Sequence, residues 1–330
     1  MICPHCGKNL LGRERGGSYC KYCRKQFVFD PKTNKLRLHD IRLRKLAGKL
    51  SDGGKARYTT TQLWYSASRK ALESPESSVS GCGCLLVVAG VASVILTVVA
   101  HIDPRILYGV LAVLVALGIY VIARQLLHRG ETVIPMSKET FREEVGRKWQ
   151  RVYAGLPPGL LVHEQRVAIP RPQRAELALL CADESVVACL AANGVLEARN
   201  MITAGSVEAL PPDIPVVIVH DANPTGIRFA DRALMELGGR PVAVAGLRPR
   251  NAMRAKGIVK LRTKERGRVT GLSHYDLHQS EQTWLGDGYW APVAAVPPAR
   301  LIAMVNRAAD RLTRAERKAE QLGFLTWPAA

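Results

Sequence analysis

Val216-Val217-Ile218-Val219-His220-Asp221-Ala222-Asn223-Pro224-Thr225-Gly226 is the stretch that sets the architecture of this chain. Four consecutive β-branched residues suit a strand covered on both faces, as in a parallel sheet. A polar turn follows, and Gly226 to Leu237 then reads as a helix closed by Gly238-Gly239. A buried strand that runs through a turn into a helix is half of a βαβ unit.

The flanking sequence repeats the pattern. Leu177-Ala178-Leu179-Leu180-Cys181 reads as a buried strand, Glu184 to Ala192 as a helix closed by Asn193-Gly194, and Val242-Ala243-Val244-Ala245 as a third strand. Parallel sheets bind ligands beyond the carboxyl ends of their strands, and His220 to Gly226 occupies such an end. This stretch resembles the TOPRIM fold of primases, topoisomerases and related nucleases, in which a strand ends in Asp-x-Asp-Pro-x-Gly and enters a helix. The resemblance covers about residues 175–246. It implies that Asp221 is the first carboxylate of a divalent-metal site for phosphoryl transfer. Two departures weaken that implication: Asn223 stands in place of the second Asp, and Cys181 or its neighbour stands where a Glu is expected, with Asp183 and Glu184 just beyond. Losing one carboxylate weakens a Mg²⁺ site, here Asp221 with Asn223, without abolishing it. Asp221 equally suits the N-cap of the following helix.

Elsewhere in the tail, Ser137 to Tyr153 reads as an amphipathic helix with Phe141, Val145, Trp149 and Val152 on one face. Arg248, Arg250, Arg254 and Lys256 open a basic run suited either to phosphate contacts or to a solvated face. His274, Asp276 and His278 would share one face of a strand as three metal ligands, but not of a helix. The C-terminal helix, from Pro298 through Gly323, is expected to pack on the sheet through Leu301, Val305 and Leu312. Arg300, Arg307, Arg311 and Arg314 alternatively suit anionic lipid.

Between head and tail, Cys82 through Ala100 and Ile106 through Ala123 contain no Asp, Glu, Lys or Arg. Each is long enough to cross a bilayer core as a helix. The expectation is a transmembrane helical hairpin over residues 81–127, integral in the lipid bilayer of the cell membrane. Basic residues flank its outer ends, which places both termini in the cytoplasm.

The head carries the most specific motif. Cys3-Pro4-His5-Cys6 and Cys20-Lys21-Tyr22-Cys23 form two Cys-x-x-Cys pairs. Four thiolates at this spacing suit tetrahedral zinc, and the first pair resembles a zinc-ribbon knuckle. His5 is read as a bystander. After the ribbon (1–36), residues 37–80 read as two basic helices and a linker. Such helices suit lipid head groups or, as a helix-turn-helix, DNA. The chain's 47 basic and 28 acidic residues give +19, of which residues 1–80 supply +11. Such a charge favours nucleic acid or an anionic membrane surface.

The fold class expected is therefore mixed: a zinc ribbon with basic helices, a membrane hairpin, and an α/β TOPRIM/Rossmann-like domain over 128–330. The function expected is binding of nucleic acid, a nucleotide or a protein partner without catalysis, with zinc as cofactor. The alternatives are a Mg-dependent phosphoryl-transfer enzyme using Asp221 with Asp183 or Glu184, and a structural adaptor.

Overall fold

The computed structural model describes residues 1–73, Ala116, Tyr120, 131–264, Gly267 and 269–321. Two Cys-x-x-Cys turns open the chain, each closed by an antiparallel bridge, Ile2 with Asn9 and Tyr19 with Gln26. Helix α1 (Asp40–Leu50), strand β1 (Tyr58–Thr59) and helix α2 (Thr60–Glu73) follow. A helix over 138–153, α3, widens to π geometry at Glu144–Lys148. Gly146 lies in this wide turn, where a Cβ would come within 3.1 Å of Val162. Beyond α3, strand β2 (Leu160–Leu161) pairs in parallel with β1.

One core joins these segments across the sequence. Leu43, Ala47 and Leu50 of α1 and Leu63 and Ala67 of α2 are buried with Phe141, Val145 and Trp149 of α3. Burying a large apolar side chain contributes about 1.5–3 kcal/mol, so this shared core binds the head firmly to the start of the tail.

The α/β domain is a four-stranded parallel sheet in the order β4-β3-β5-β6, with β3 at Leu177–Leu180, β4 at Met201–Ala204, β5 at Val216–Ile218 and β6 at Val242–Val244. Register runs Thr203, Leu179, Val217, Ala243 across the four strands. The period-two alternation of a strand sends Leu177, Leu179 and Val217 to one layer, against α4 (Glu184–Ala192), the short α5 (Val195–Ala198) and α9 (Pro298–Gln321). Ala178, Leu180, Val216 and Ile218 face the other layer, against α6 (Pro224–Glu236). Both central strands are fully buried, which explains their uninterrupted apolar sequence. The chain moves to one side of β3 to make β4 and to the other side to make β5. The crevice at this reversal is where doubly wound sheets bind ligands.

Three expectations about membranes are corrected here. Among the described residues no helix is long and apolar enough to cross a membrane. The transmembrane hairpin, the integral bilayer partnership and the two-span localisation with cytoplasmic termini are therefore not supported. The longest described helix, α9, has 24 residues, but Arg300, Arg307, Asp310, Arg311 and Arg314 interrupt it and its apolar side is buried against the sheet. The two apolar runs themselves lie outside the described residues, apart from Ala116 and Tyr120, which are helical and exposed.

Candidate functional site

The cysteine cluster is built from two copies of one backbone turn. Cys3 N–H donates to Lys8 O (2.8 Å) and Gly7 N–H to Cys3 O (3.1 Å); Cys20 N–H donates to Lys25 O (3.1 Å) and Arg24 N–H to Cys20 O (2.8 Å). Gly7 and Arg24 occupy the same left-handed position, with φ of 73° and 57°. The ligand atoms of Cys3, Cys6, Cys20 and Cys23 all lie within 4.8 Å of one another. Cys3 and Cys23 Sγ are 3.8 Å apart, as are Cys6 and Cys20 Sγ. A tetrahedron of ~2.3 Å Zn–S bonds has edges of roughly 3.8 Å, so the four thiols fit a metal centre and zinc in particular. Burial opposes ionisation at both buried thiols. It prevails at Cys3, raised to about 11. At Cys20 the backbone N–H groups of Cys23 and Tyr22 and the neighbouring thiols outweigh it and draw the group down to about 7.

His5 lies outside the cluster. Its Nε2 bonds the Gln26 carbonyl at 2.7 Å, and its ring stacks on Tyr153 of α3 with centroids 5.3 Å apart. Together with His39 Nε2 on Ile2 O (2.7 Å) and Arg44 on Pro4 O (3.3 Å), this seats the ribbon on α1 and α3.

The second candidate lies at the sheet reversal. A cleft of about 320 Å³ is lined by Asp183 beyond β3 and by His220, Asp221, Asn223 and Gly226 beyond β5. Asp183 is the N-cap of α4: its Oδ1 accepts from Ser185 N–H (2.8 Å) and Val186 N–H (3.1 Å). Asp221 does not cap α6. Asn223 does, accepting from Gly226 N–H through Oδ1 and donating Nδ2 to Asp221 Oδ2 at 3.3 Å. Asp221 Oδ1 instead accepts from Val293 N–H at 2.7 Å, in a segment that crosses the end of β5 where Ala222 bridges Ala291. Gly226 is required because a Cβ there would approach Asp221 backbone O to 2.7 Å.

Burial pushes Asp221 up to about 6, helped by the charge of Asp183 and opposed by the Val293 N–H. Asp183 is raised by burial in the same way. A carboxyl group raised in the folded state favours the protonated form there, so its contribution is complete below the unfolded value of 3.8 and is lost as pH rises through about 6. We therefore expect the urea midpoint to fall between pH 4 and 7, with Asp221 accounting for about 2–3 kcal/mol of the loss. Asp221→Asn should flatten that slope, and an unchanged slope in the variant would refute the assignment.

His220 is buried behind Asp221. Its Nδ1 bonds the Asp221 carbonyl at 2.8 Å and its Nε2 meets Tyr275 Oη at 3.2 Å, while burial lowers it to about 4 and keeps it neutral. Gly246 leaves room for this ring, since a Cβ there would fall 2.1 Å from His220 Cδ2.

The structure brings Asp183 and Asp221 to one cleft and leaves Glu184, which is exposed, to line a larger neighbouring cleft of about 730 Å³. Asp183 borders both. Glu164, which sequence reading passed over, lines the larger cleft and raises Asp183, but its Oε1 already accepts from Thr61 N–H (2.9 Å) and Thr61 Oγ1 (2.7 Å) at the start of α2. No sequence pattern marked it, because its partner lies in the head. His274, Asp276 and His278 do not converge. Asp231 holds the 273–275 loop through its N–H groups, and His278 caps α8 (Gln279–Gly286). Among the described residues the four cysteines alone form a metal-binding group of three or more His, Cys, Asp or Glu.

Of the basic quartet, Arg248 and Arg250 line one groove. Arg254 ends α7 (Pro249–Arg254), with Lys256 just after it. In comparisons with protein-family models, curated proteins and solved structures, nothing matches this chain.

Proposed function

We propose that this chain is a nucleic-acid-binding protein with a zinc ribbon and a degenerate TOPRIM-like domain that binds without cleaving. The observation that carries this reading is the disposition of Asn223. Its only side-chain oxygen is spent on the Gly226 N–H, and a donor, Nδ2, faces Asp221 where a second carboxylate would complete a metal pair. Asp183 likewise commits one oxygen, Oδ1, to the cap of α4. A hard divalent cation needs oxygen ligands, so the crevice is poorly supplied for Mg²⁺ and keeps the fold of such a site without its ligand set. The net charge of +19 supports a polyanionic partner.

The rival reading, a Mg-dependent phosphoryl-transfer enzyme, draws support from Asp183 and Asp221 sharing one cleft. One experiment separates the two. Full-length, zinc-loaded protein is incubated with single-stranded and duplex oligonucleotides, with and without Mg²⁺, across a range of salt. Retardation that weakens steeply with salt, and intact oligonucleotides after prolonged incubation with Mg²⁺, are expected. Cleavage that disappears in Asp221→Ala would establish the enzyme instead. Absence of retardation at low salt would point to a protein partner.

A further inference from the structure

The arginines of the basic run and those of α9, far apart in sequence, line a single groove of about 760 Å³: Arg248, Arg250, Arg300, Arg307, Arg311 and Arg314. The α9 members are seven, four and three residues apart, which places all four on one face of a helix. That row extends ~21 Å at 1.5 Å per residue. The opposite side of α9 is anchored, with Leu301, Val305, Ala308 and Leu312 buried against the sheet. The row is thus held rigidly rather than on a loop.

Little among the described residues neutralises it. Among the described residues no carboxylate pairs with Arg300, Arg307, Arg311 or Arg314, and Arg307 and Arg311 make only Nε bonds to carbonyls of the preceding turn. Among the described residues two acids line the groove. Asp310 is paired with Arg199 at 2.7 Å, and Asp276 lies exposed at the rim. Arg248 is fixed over the Tyr275 ring, 5.1 Å from its centroid, and bonds the Asp276 carbonyl through Nη2. Its Nε is buried with no partner. Tyr275 also meets His220, which ties the groove to the crevice at Asp221.

We propose that this groove is the track for one phosphate strand of a nucleic acid, gripped along the backbone rather than read by its bases. Exposed guanidinium groups in a row recognise phosphate oxygens at repeated spacing. Among the described residues the groove has no exposed Tyr, Phe or Trp for base stacking: Tyr275 is buried beneath Arg248, and the other ring that lines it, His274, sits on the loop held by Asp231. The inference rests on the binding function proposed above and assigns it to a particular surface.

The test compares full-length wild type with Arg307→Gln/Arg311→Gln/Arg314→Gln and with Lys25→Gln/Lys32→Gln/Lys35→Gln, which removes the same charge from exposed positions in the head. Affinity for a fluorescent oligonucleotide, single-stranded and duplex, is measured against salt, after confirming that all three proteins melt alike. With the groove as the track, the arginine variant loses about 2–3 from its log–log salt slope and roughly tenfold or more in affinity at low salt, on whichever form the wild type binds. The lysine variant keeps the wild-type slope. Equal losses in both variants would mean that net charge alone is at work and would overturn the groove. An arginine variant that binds as the wild type does would overturn the groove and leave nucleic-acid binding standing. A wild type that binds neither form would overturn both.

Discussion

Asp40→Ala is expected to destabilise the protein by about 3–5 kcal/mol, one of the largest losses open to a single substitution. Asp40 is fully buried. Its two oxygens accept from Val28 N–H (2.8 Å) and Phe29 N–H (2.7 Å), where the chain leaves the ribbon, and from the Tyr153 hydroxyl at the end of α3. One carboxylate thus ties the exit of the ribbon to the end of α3, 113 residues beyond Asp40 in the chain, and Arg44 reinforces the joint by lying over the Tyr153 ring at 4.5 Å. Truncation strands the buried Phe29 N–H outright, at about 1–3 kcal/mol, and leaves the partly buried Val28 N–H and Tyr153 hydroxyl without their acceptor. Asp40→Asn keeps an acceptor and should cost less. Urea denaturation of both variants checks the ordering, and an Ala variant within about 1 kcal/mol of wild type would show that the donors find other partners.

How far the sequence alone could be read depended on whether a feature was local. Strands β3 and β5 were visible because burial on both faces makes their apolar runs continuous, and β6, a half-buried edge, was visible from its run of Val and Ala alone. Strand β4 escaped notice because Met201-Ile202-Thr203-Ala204 is a half-buried edge with only two β-branched residues, entered through Asn200 at φ 49°. That Asp221 would share a cleft with an acid beyond β3 was legible, since both lie at the carboxyl ends of recognisable strands, but whether that acid is Asp183 or Glu184 was left open. Their roles were not, because the partner that occupies Asp221 is the backbone of Val293, 72 residues away. The Asn223-Pro224 pair did carry a usable signal, an N-cap residue followed by Pro at the first helical position, and it assigns the cap to Asn223 rather than Asp221. The membrane expectation rested on hydropathy and length alone, and no described helix supports it. The arginine groove shows the same limit from the other side: the spacing within α9 is periodic and readable, whereas its meeting with Arg248 is set by tertiary packing.

Cys20→Ser is expected to lose the metal and unfold the ribbon while sparing the sheet. The ribbon's own core consists of Leu10 and Phe27 together with Cys3 and Cys20, flanked by Met1 and Cys23. Two large apolar side chains are too small a core to fold some twenty-five residues unaided. Structural zinc sites supply folding free energy outright, so folding of this segment is coupled to coordination. Docking on α1 and α3 through His5, His39 and Arg44 adds a few polar bonds, too few to replace four thiolates. Phe29, Leu36 and Leu38 belong instead to the core shared with α1, α2 and α3, so unfolding should stop near Phe27. Wild type should therefore contain about one zinc per chain by elemental analysis. Chelation, or Cys20→Ser, should abolish hydrogen-exchange protection across the two knuckles and preserve it in β3 and β5. Knuckle amides that stay protected without metal would mean that docking alone folds the ribbon, and the cysteine cluster would then lose its structural role.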